Sequence, residues 1–148
     1  MRLDIVPFVP AHAEEIALRE LDLVPFADAG ATARDMGRVY AAGGPAFTGL
    51  AAGRVVACAG IVVTRPGLGD GWALTSPDTP RFALSFCRAF SRLMPQVIAD
   101  FHLTRVQALV VDGHTVSRQW LARMGFGFEG TLRKYLNGRD YHMYARVA

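Results

Sequence analysis

Residues 54–64 (RVVACAGIVVT) are almost continuously apolar, and this run constrains the fold more than any other stretch. A strand with one face in water alternates apolar and polar side chains, so a strand without alternation must be covered on both faces. The run falls short of the 18 or so apolar residues that span a bilayer, as does every other apolar run in the chain. A central strand in a sheet flanked by helices is therefore the expectation. Residues 46–51 (AFTGLA) form a partner strand, joined to it by Ala52-Gly53, a hairpin-type turn.

The remaining elements follow from periodicity and punctuation. Residues 3–9 (LDIVPFV) predict a first strand ended by Pro10. Residues 11–24 predict a helix with Ile16, Leu18, Leu21 and Val24 apolar, stopped by Pro25. Residues 30–41 predict a second helix with Thr32 as its cap, broken by Gly43-Gly44-Pro45. Residues 65–71 (RPGLGDG) have the composition of a turn-rich loop, and 72–75 (WALT) that of a fourth strand. Thr79 suits an N-cap and Pro80 the first helical position. The helix they open carries Phe82, Phe86, Phe90, Leu93 and Met94 at apolar spacing, and Pro95 should kink it or divide it from a piece at 96–102. Residues 105–111 predict a fifth strand, and 115–124 a helix closed by Gly125. Residues 127–136 and 140–147 alternate around Asn137-Gly138, a strong hairpin signal. The order β-α-α-β-β-β-α-β-α-β-β mixes an antiparallel meander with one parallel crossover. The fold class is α/β (α+β) with one mixed central sheet, and residues 1–148 are expected to form one domain.

Composition narrows the function classes. The chain is 51% hydrophobic and 20% charged, which is globular rather than disordered. The net charge of +3 suits either an anionic ligand or an arginine-rich solvated surface. There is no dense basic patch and no nucleic-acid motif, so no nucleic-acid partner is expected. Cys58 and Cys87 sit in apolar segments without metal-ligand spacing, so no metal is expected and both are read as buried thiols of a reducing compartment. The start, MRLDIVPFVP, carries Asp4 and two prolines and is not a signal peptide. A cytoplasmic protein without a membrane partner is the expectation.

The stretch 119–144, QWLARMGFGFEGTLRKYLNGRDYHMY, resembles the C-terminal signature of the GNAT superfamily of acetyl-CoA-dependent N-acetyltransferases. It is especially similar to the branch that acetylates protein N-termini, and the order of elements resembles the GNAT fold throughout. The resemblance implies that the fourth and fifth strands splay apart, with the pantetheine arm of acetyl-CoA in the splay. It implies a pyrophosphate held by N–H groups at the start of the next helix, where donors are unpaired and the dipole is positive. The residues so implied are Leu74, Thr75, Ser76, Thr79, Arg81, Phe82, Ala83, Ser85, His114 and Ser117.

This chain departs from the family pattern at two places. The glycine positions of the phosphate loop fall on Arg81, Ala83 and Ser85, Pro80 lacks an N–H, and Asp78 adds a negative charge that Arg81 could offset. Arg81, Ser85, Arg88 and Arg92 share one helix face, which is either an anion stripe or a solvated surface. The family's Asn and Tyr near the last helix correspond to His114 and Leu121, so the usual acid is missing. His114 is then either an acid–base group or a helix-start residue. For a general base, Asp70 is the carboxylate nearest the fourth strand. Glu129, Tyr135, His142 and Tyr144 lie on the last two strands, where the alternative is a polar hairpin face. The candidate catalytic residues are His114, Asp70 and Tyr144.

Two functions remain open at this point. One is acetyl transfer from acetyl-CoA to a primary amine of a small molecule or protein, with backbone N–H groups around Leu74 and Thr75 polarising the thioester. The other is a catalytically weak or inactive GNAT-like module of phage or prophage type, suggested by Trp72-Ala73-Leu74-Thr75-Ser76-Pro77-Asp78. An amine acceptor and a second copy of the chain, as a homodimer, are the expected partners.

Overall fold

The computed structural model describes residues 2–18 and 20–148. The strands are β1 (Asp4–Pro7), β2 (Ala46–Ala51), β3 (Arg54–Arg65), β4 (Leu68–Thr75), β5 (Arg105–Val111), β6 (Gly127–Leu136) and β7 (Arg139–Val147). The helices are α1 (Pro10–Glu15), α2 (Glu20–Asp28), α3 (Ala33–Gly43), α4 (Ala83–Asp100) and α5 (Thr115–Arg123), with a 3-10 turn at Thr79–Phe82. One seven-stranded sheet has the order β1-β2-β3-β4-β5-β7-β6. Every pair is antiparallel except β4 and β5, so the α+β class and the mixed sheet are as expected.

The apolar run lies inside β3, third from one edge, with Val55, Val56, Ala57, Cys58 and Ile61 all buried. Helices cover both faces. On one, Phe8, Ala13, Ile16, Phe26 and Leu74 pack together under α1, α2 and α3. On the other, Met94, Val97, Leu103, Val106, Val110 and Phe126 pack under α4 and α5. Two of the three short hairpins turn through two residues at positive φ, Ala52-Gly53 (50° and 77°) and Asn137-Gly138 (50° and 72°), while Pro66-Gly67 between β3 and β4 has only its glycine there (81°). Two left-handed residues are the geometry favoured for a two-residue connection.

Four local expectations are corrected. The helix expected over 11–24 is two helices, and Pro10 opens α1 rather than only ending β1. The break falls at Ile16, which turns extended (φ −68°, ψ 132°) and is buried against β3. Burial of that side chain outweighs helix continuation, and Pro25 sits inside α2 instead of stopping it. Arg19, part of the expected helix, lies outside the described residues.

The expected loop 65–71 is mostly strand, because β4 already begins at Leu68. Its glycines serve close packing: a Cβ on Gly69 would come within 2.4 Å of Ile61 Cγ2. Thr79 is not an N-cap but the first residue of the 3-10 turn, with Asp78 preceding it. Pro95 does not divide α4, which is continuous over 18 residues. Met94 and Val97 on either side of the proline are buried in the same cluster, and that packing holds the helix together across the missing N–H.

A cavity in the splay between β4 and β5

Strands β4 and β5 pair in parallel only at Leu68–Arg105, Gly69–Val106 and Asp70–Gln107. Beyond Asp70 they separate, and each keeps its other neighbour, β3 and β7. A cavity of about 510 Å³ fills the gap and reaches both faces of the sheet. Leu21, Asp22, Pro25, Phe26, Tyr40 and Trp72 line it on the α1–α3 side, and Phe86, Phe90, Trp120 and Leu121 on the α4–α5 side.

The open end is crossed by one carboxylate. Asp22 of α2 accepts a hydrogen bond from Thr75 N (2.9 Å) and another from the Thr75 hydroxyl. Its other oxygen lies 2.7 Å from His114 Nε2. His114 caps α5, its Nδ1 accepting from Ser117 N at 3.5 Å, so Nε2 carries the proton that Asp22 receives. One acidic residue thus joins the last residue of β4 to the start of α5.

Thr75 N–H bonds Asp22 and not β3, so it faces the splay. Backbone groups alternate in direction along a strand, which puts the N–H and C=O of Ala73 on that same edge and turns those of Leu74 toward β3. Ala73 is exposed and has no partner on β5. Of the N–H groups around Leu74 and Thr75, that of Thr75 is bonded to Asp22, that of Leu74 faces β3, and Ala73 offers the open position.

The turn after β4 is closed on itself. Thr79 Oγ1 accepts from Ser76 N (2.8 Å) and donates to Val56 O (2.9 Å), and Ser76 Oγ accepts from Asp78 N (3.2 Å). Thr79 N and Arg81 N donate to Ser76 O and Asp78 O, both at 3.0 Å, and Pro80 has no N–H. Asp78 pairs with Arg54 (3.3 Å). Phe82 is buried with Val56, Ala57 and Phe86 as core. Arg81 in the 3-10 turn and Arg88 and Arg92 along α4 are exposed.

Of the residues expected at the site, Asp70, Leu74, Thr75, Thr79, His114 and Ser117 line the cavity, while Ser76, Arg81, Phe82, Ala83 and Ser85 do not. Tyr144 does not line it either: the phenol accepts from Arg118 Nε (2.9 Å) and the ring is buried among Val106, Val110 and Phe126. His142 bonds Thr131 (2.9 Å) and Asp112 (2.9 Å), and Glu129 grips Arg105 (2.6 Å), so both tie the β6–β7 hairpin to the β5 segment. Tyr40, stacked on Trp72 at 3.9 Å, has its phenol pushed up to about 12 by burial and by the charge of Asp22. Asp22 and Tyr40 are site residues that sequence periodicity does not single out; Asp22 has only the weak signal of an acid in a helix's first turn. Among the described residues no group of three or more His, Cys, Asp or Glu could hold a metal ion, and no helix is long and apolar enough to cross a membrane.

No protein-family model matches the chain, and no curated protein matches it by sequence. Solved structures do match over its whole length. A GNAT-family acetyltransferase from Bacillus anthracis superposes with a TM-score of 0.74 at 16% identity, over 99% of this chain and 95% of that one. The ribosomal-protein-S5-alanine acetyltransferase from Vibrio fischeri gives 0.71 at 16%, over 99% and 93%. A GNAT superfamily phosphinothricin acetyltransferase from Sinorhizobium meliloti, in complex with AcCoA, gives 0.67 at 13%, over 99% and 89%. The splayed β4–β5 pair, the covered β3 and these superpositions together identify the scaffold: the chain has the fold of GNAT-family acetyltransferases.

Proposed function

We propose that the protein is an acetyl-CoA-dependent N-acetyltransferase that moves an acetyl group directly onto a primary amine of a small molecule or protein. The observation that carries this reading is the β4 edge, which faces a cavity open through the sheet. A pantetheine arm is a chain of amides, and an unpaired strand edge bonds such a chain as it would another strand. The AcCoA complex of the Sinorhizobium meliloti enzyme, on the same scaffold, supports this choice of donor.

In this mechanism the N–H of Ala73 polarises the thioester carbonyl. The amine nitrogen attacks the carbonyl carbon, a C–N bond forms, and the tetrahedral intermediate collapses with cleavage of the C–S bond. The electron pair leaves on sulfur as the CoA thiolate. An amine that arrives as ammonium gives one proton to Asp70 before it attacks, and the second proton, released from the nitrogen of the tetrahedral intermediate, goes to water. A thiol's ordinary pKa of about 8.5 lets water protonate the thiolate at neutral pH, which accommodates Leu121 where the family has Tyr. His114, committed to Asp22, holds the site closed at its open end.

The test is thiol release and melting in the presence of acetyl-CoA. Ligand at about 100 times its Kd adds about 2.7 kcal/mol to stability. No shift at millimolar acetyl-CoA overturns the reading. A second reading, a coenzyme-binding or interaction module without turnover, is favoured by one observation. The Thr75 N–H is already taken, and the turn that opens α4 has spent its first donors locally. A melting shift without amine-dependent thiol release selects it. The phage-type version of that module gains no support from the structural likenesses.

A further inference from the structure

On the acetyltransferase reading, we infer that the acceptor is a primary amine on an uncharged apolar body, its ammonium held by Asp70 and its body lying against the Trp72 and Leu109 side of the splay. The charges that line the cavity decide this. Among the described residues its acidic groups are Asp22 and Asp70, its only imidazole is His114, and no arginine or lysine lines it. Asp22 is engaged by Thr75 and His114. Asp70 is the carboxylate left to receive a cation.

Asp70 is aimed for that task. It is the last residue of β4 paired with β5, so it sits where the splay opens. Its Oδ1 accepts from Gln107 Nε2 at 2.8 Å, and Oδ2 takes no hydrogen bond from the described residues. Gln107 cannot turn its amide over, because Oε1 accepts from Arg105 Nε (3.0 Å), and Arg105 is clamped in turn by both oxygens of Glu129 (3.1 and 2.6 Å). Three side chains thus fix one oxygen of Asp70, a residue that lines the cavity, and leave the other without a hydrogen bond from the described residues.

The surroundings exclude other amines. Trp72 follows Asp70 by two residues and Leu109 follows Gln107 by two, so all four point to the α1–α3 face. Leu109 is 37% exposed, although its strand lies inside the sheet. A free amino acid would bring a carboxylate into a cavity without a cation to meet it, and an unpaired buried charge is costly. A diamine would bring a second ammonium for which the remaining acid is already engaged.

The experiment compares three probes by calorimetry, with and without acetyl-CoA: 2-phenylethylamine, phenylalanine, which is the same body with an added carboxylate, and 1,4-diaminobutane. A parallel melting curve with acetyl-CoA alone tests the transferase reading. The expected result is an acetyl-CoA shift and a preference for 2-phenylethylamine of roughly 100-fold over both other probes, equivalent to two decades in Kd. Asp70→Asn should weaken 2-phenylethylamine binding by roughly tenfold or more while leaving the acetyl-CoA shift intact. An acetyl-CoA shift with equal or better binding of phenylalanine or diaminobutane overturns this inference alone. Unchanged binding of 2-phenylethylamine in Asp70→Asn also overturns it. No acetyl-CoA shift overturns the transferase reading and this inference with it.

Discussion

Asp22 and His114, 92 residues apart in the chain, meet at 2.7 Å with both side chains less than a tenth exposed. Ser117 Oγ lies 3.1 Å from the same nitrogen, Nε2. A Ser-His-Asp relay needs its serine and its acid on opposite ring nitrogens. With both on one nitrogen, the group cannot activate Ser117 as a nucleophile. It is a lock that binds α2, the end of β4 and the start of α5 across the splay.

Replacing Asp22 by Asn should therefore have two opposite effects. Losing the hydrogen bonds made to a buried charged acceptor costs about 1.5–3 kcal/mol. For a chain of this length that lowers the melting temperature by roughly 3–12 °C. At the same time Thr75 N–H loses its charged acceptor and becomes available to an amide ligand. The acetyl-CoA-induced shift, measured from the variant's own lower baseline, should grow. A smaller shift would mean that the Thr75 edge is not on the coenzyme's path.

The far end of α2 has an acid-sensitive tether. Asp28 accepts from Tyr141 (2.8 Å), Asn137 (3.2 Å) and Arg139 (3.2 Å) on the β6–β7 hairpin. Burial works against its charge, but these hydrogen bonds outweigh it and hold the carboxyl below its ordinary 3.8. The folded value is the lower one, so the stabilisation is fully present above about pH 4 and is lost as pH falls through the folded value. Melting curves of the native protein and Asp28→Asn should differ at neutral pH and converge in acid. Parallel curves down to pH 2 would remove Asp28 from the account.

Much of the scaffold was legible because its signals are local. The apolar run of β3, the turns at Ala52-Gly53 and Asn137-Gly138, and the Thr32 cap depend on neighbours in sequence; the Thr32 hydroxyl accepts from Asp35 N at 3.1 Å. The corrections fall where distant packing decides. Gly69 looks like a turn residue until Ile61 and Leu103 stand against it, and Pro95 looks like a break until Met94 and Val97 bury on one cluster. The site divides the same way. Asp70 and His114 were accessible from their places near a strand end and a helix start. Asp22 was not, because nothing near it in sequence indicates that its partners are Thr75 and His114. Strand alternation gives Tyr144 two possible faces and does not say which one meets the cavity, and its ring packs outside the lining.

The two cysteines should separate cleanly by reactivity. Cys58 is fully buried on β3, and its thiol is pushed up to about 11, by burial first, against a hydrogen bond from Thr48, with the charge of Glu15 adding to the rise. The thiolate is the reactive form, so at pH 8 Cys58 is both shielded and almost wholly protonated. Cys87 is only half-buried. Iodoacetamide at pH 8 should label Cys87 alone in the folded protein and both thiols in denaturant. Labelling of Cys58 at a comparable rate would show that β3 opens far more readily than its burial implies.

Gly60 tests how the Trp72 wall of the cavity is made. It faces Trp72 across the β3–β4 ladder, and a Cβ there would come within 2.6 Å of Pro45 O, 2.8 Å of Ala46 Cβ and 2.8 Å of the Trp72 ring. The nearest of these is backbone, which has no rotamer to move to, so Gly60→Ala must shift the strand or push the indole away. Overpacking of this kind costs about 1–3 kcal/mol, or roughly 2–12 °C in melting temperature. Gly53→Ala is the control. Its φ of 77° makes alanine strained by about 1–2 kcal/mol, yet no atom lies within 4 Å of the added carbon. Both variants should therefore melt early, but only Gly60→Ala should change tryptophan emission, because only there is the Tyr40–Trp72 stack at 3.9 Å disturbed. Unchanged emission in Gly60→Ala, with the same loss of stability, would show that the strand yields and the wall does not depend on this glycine.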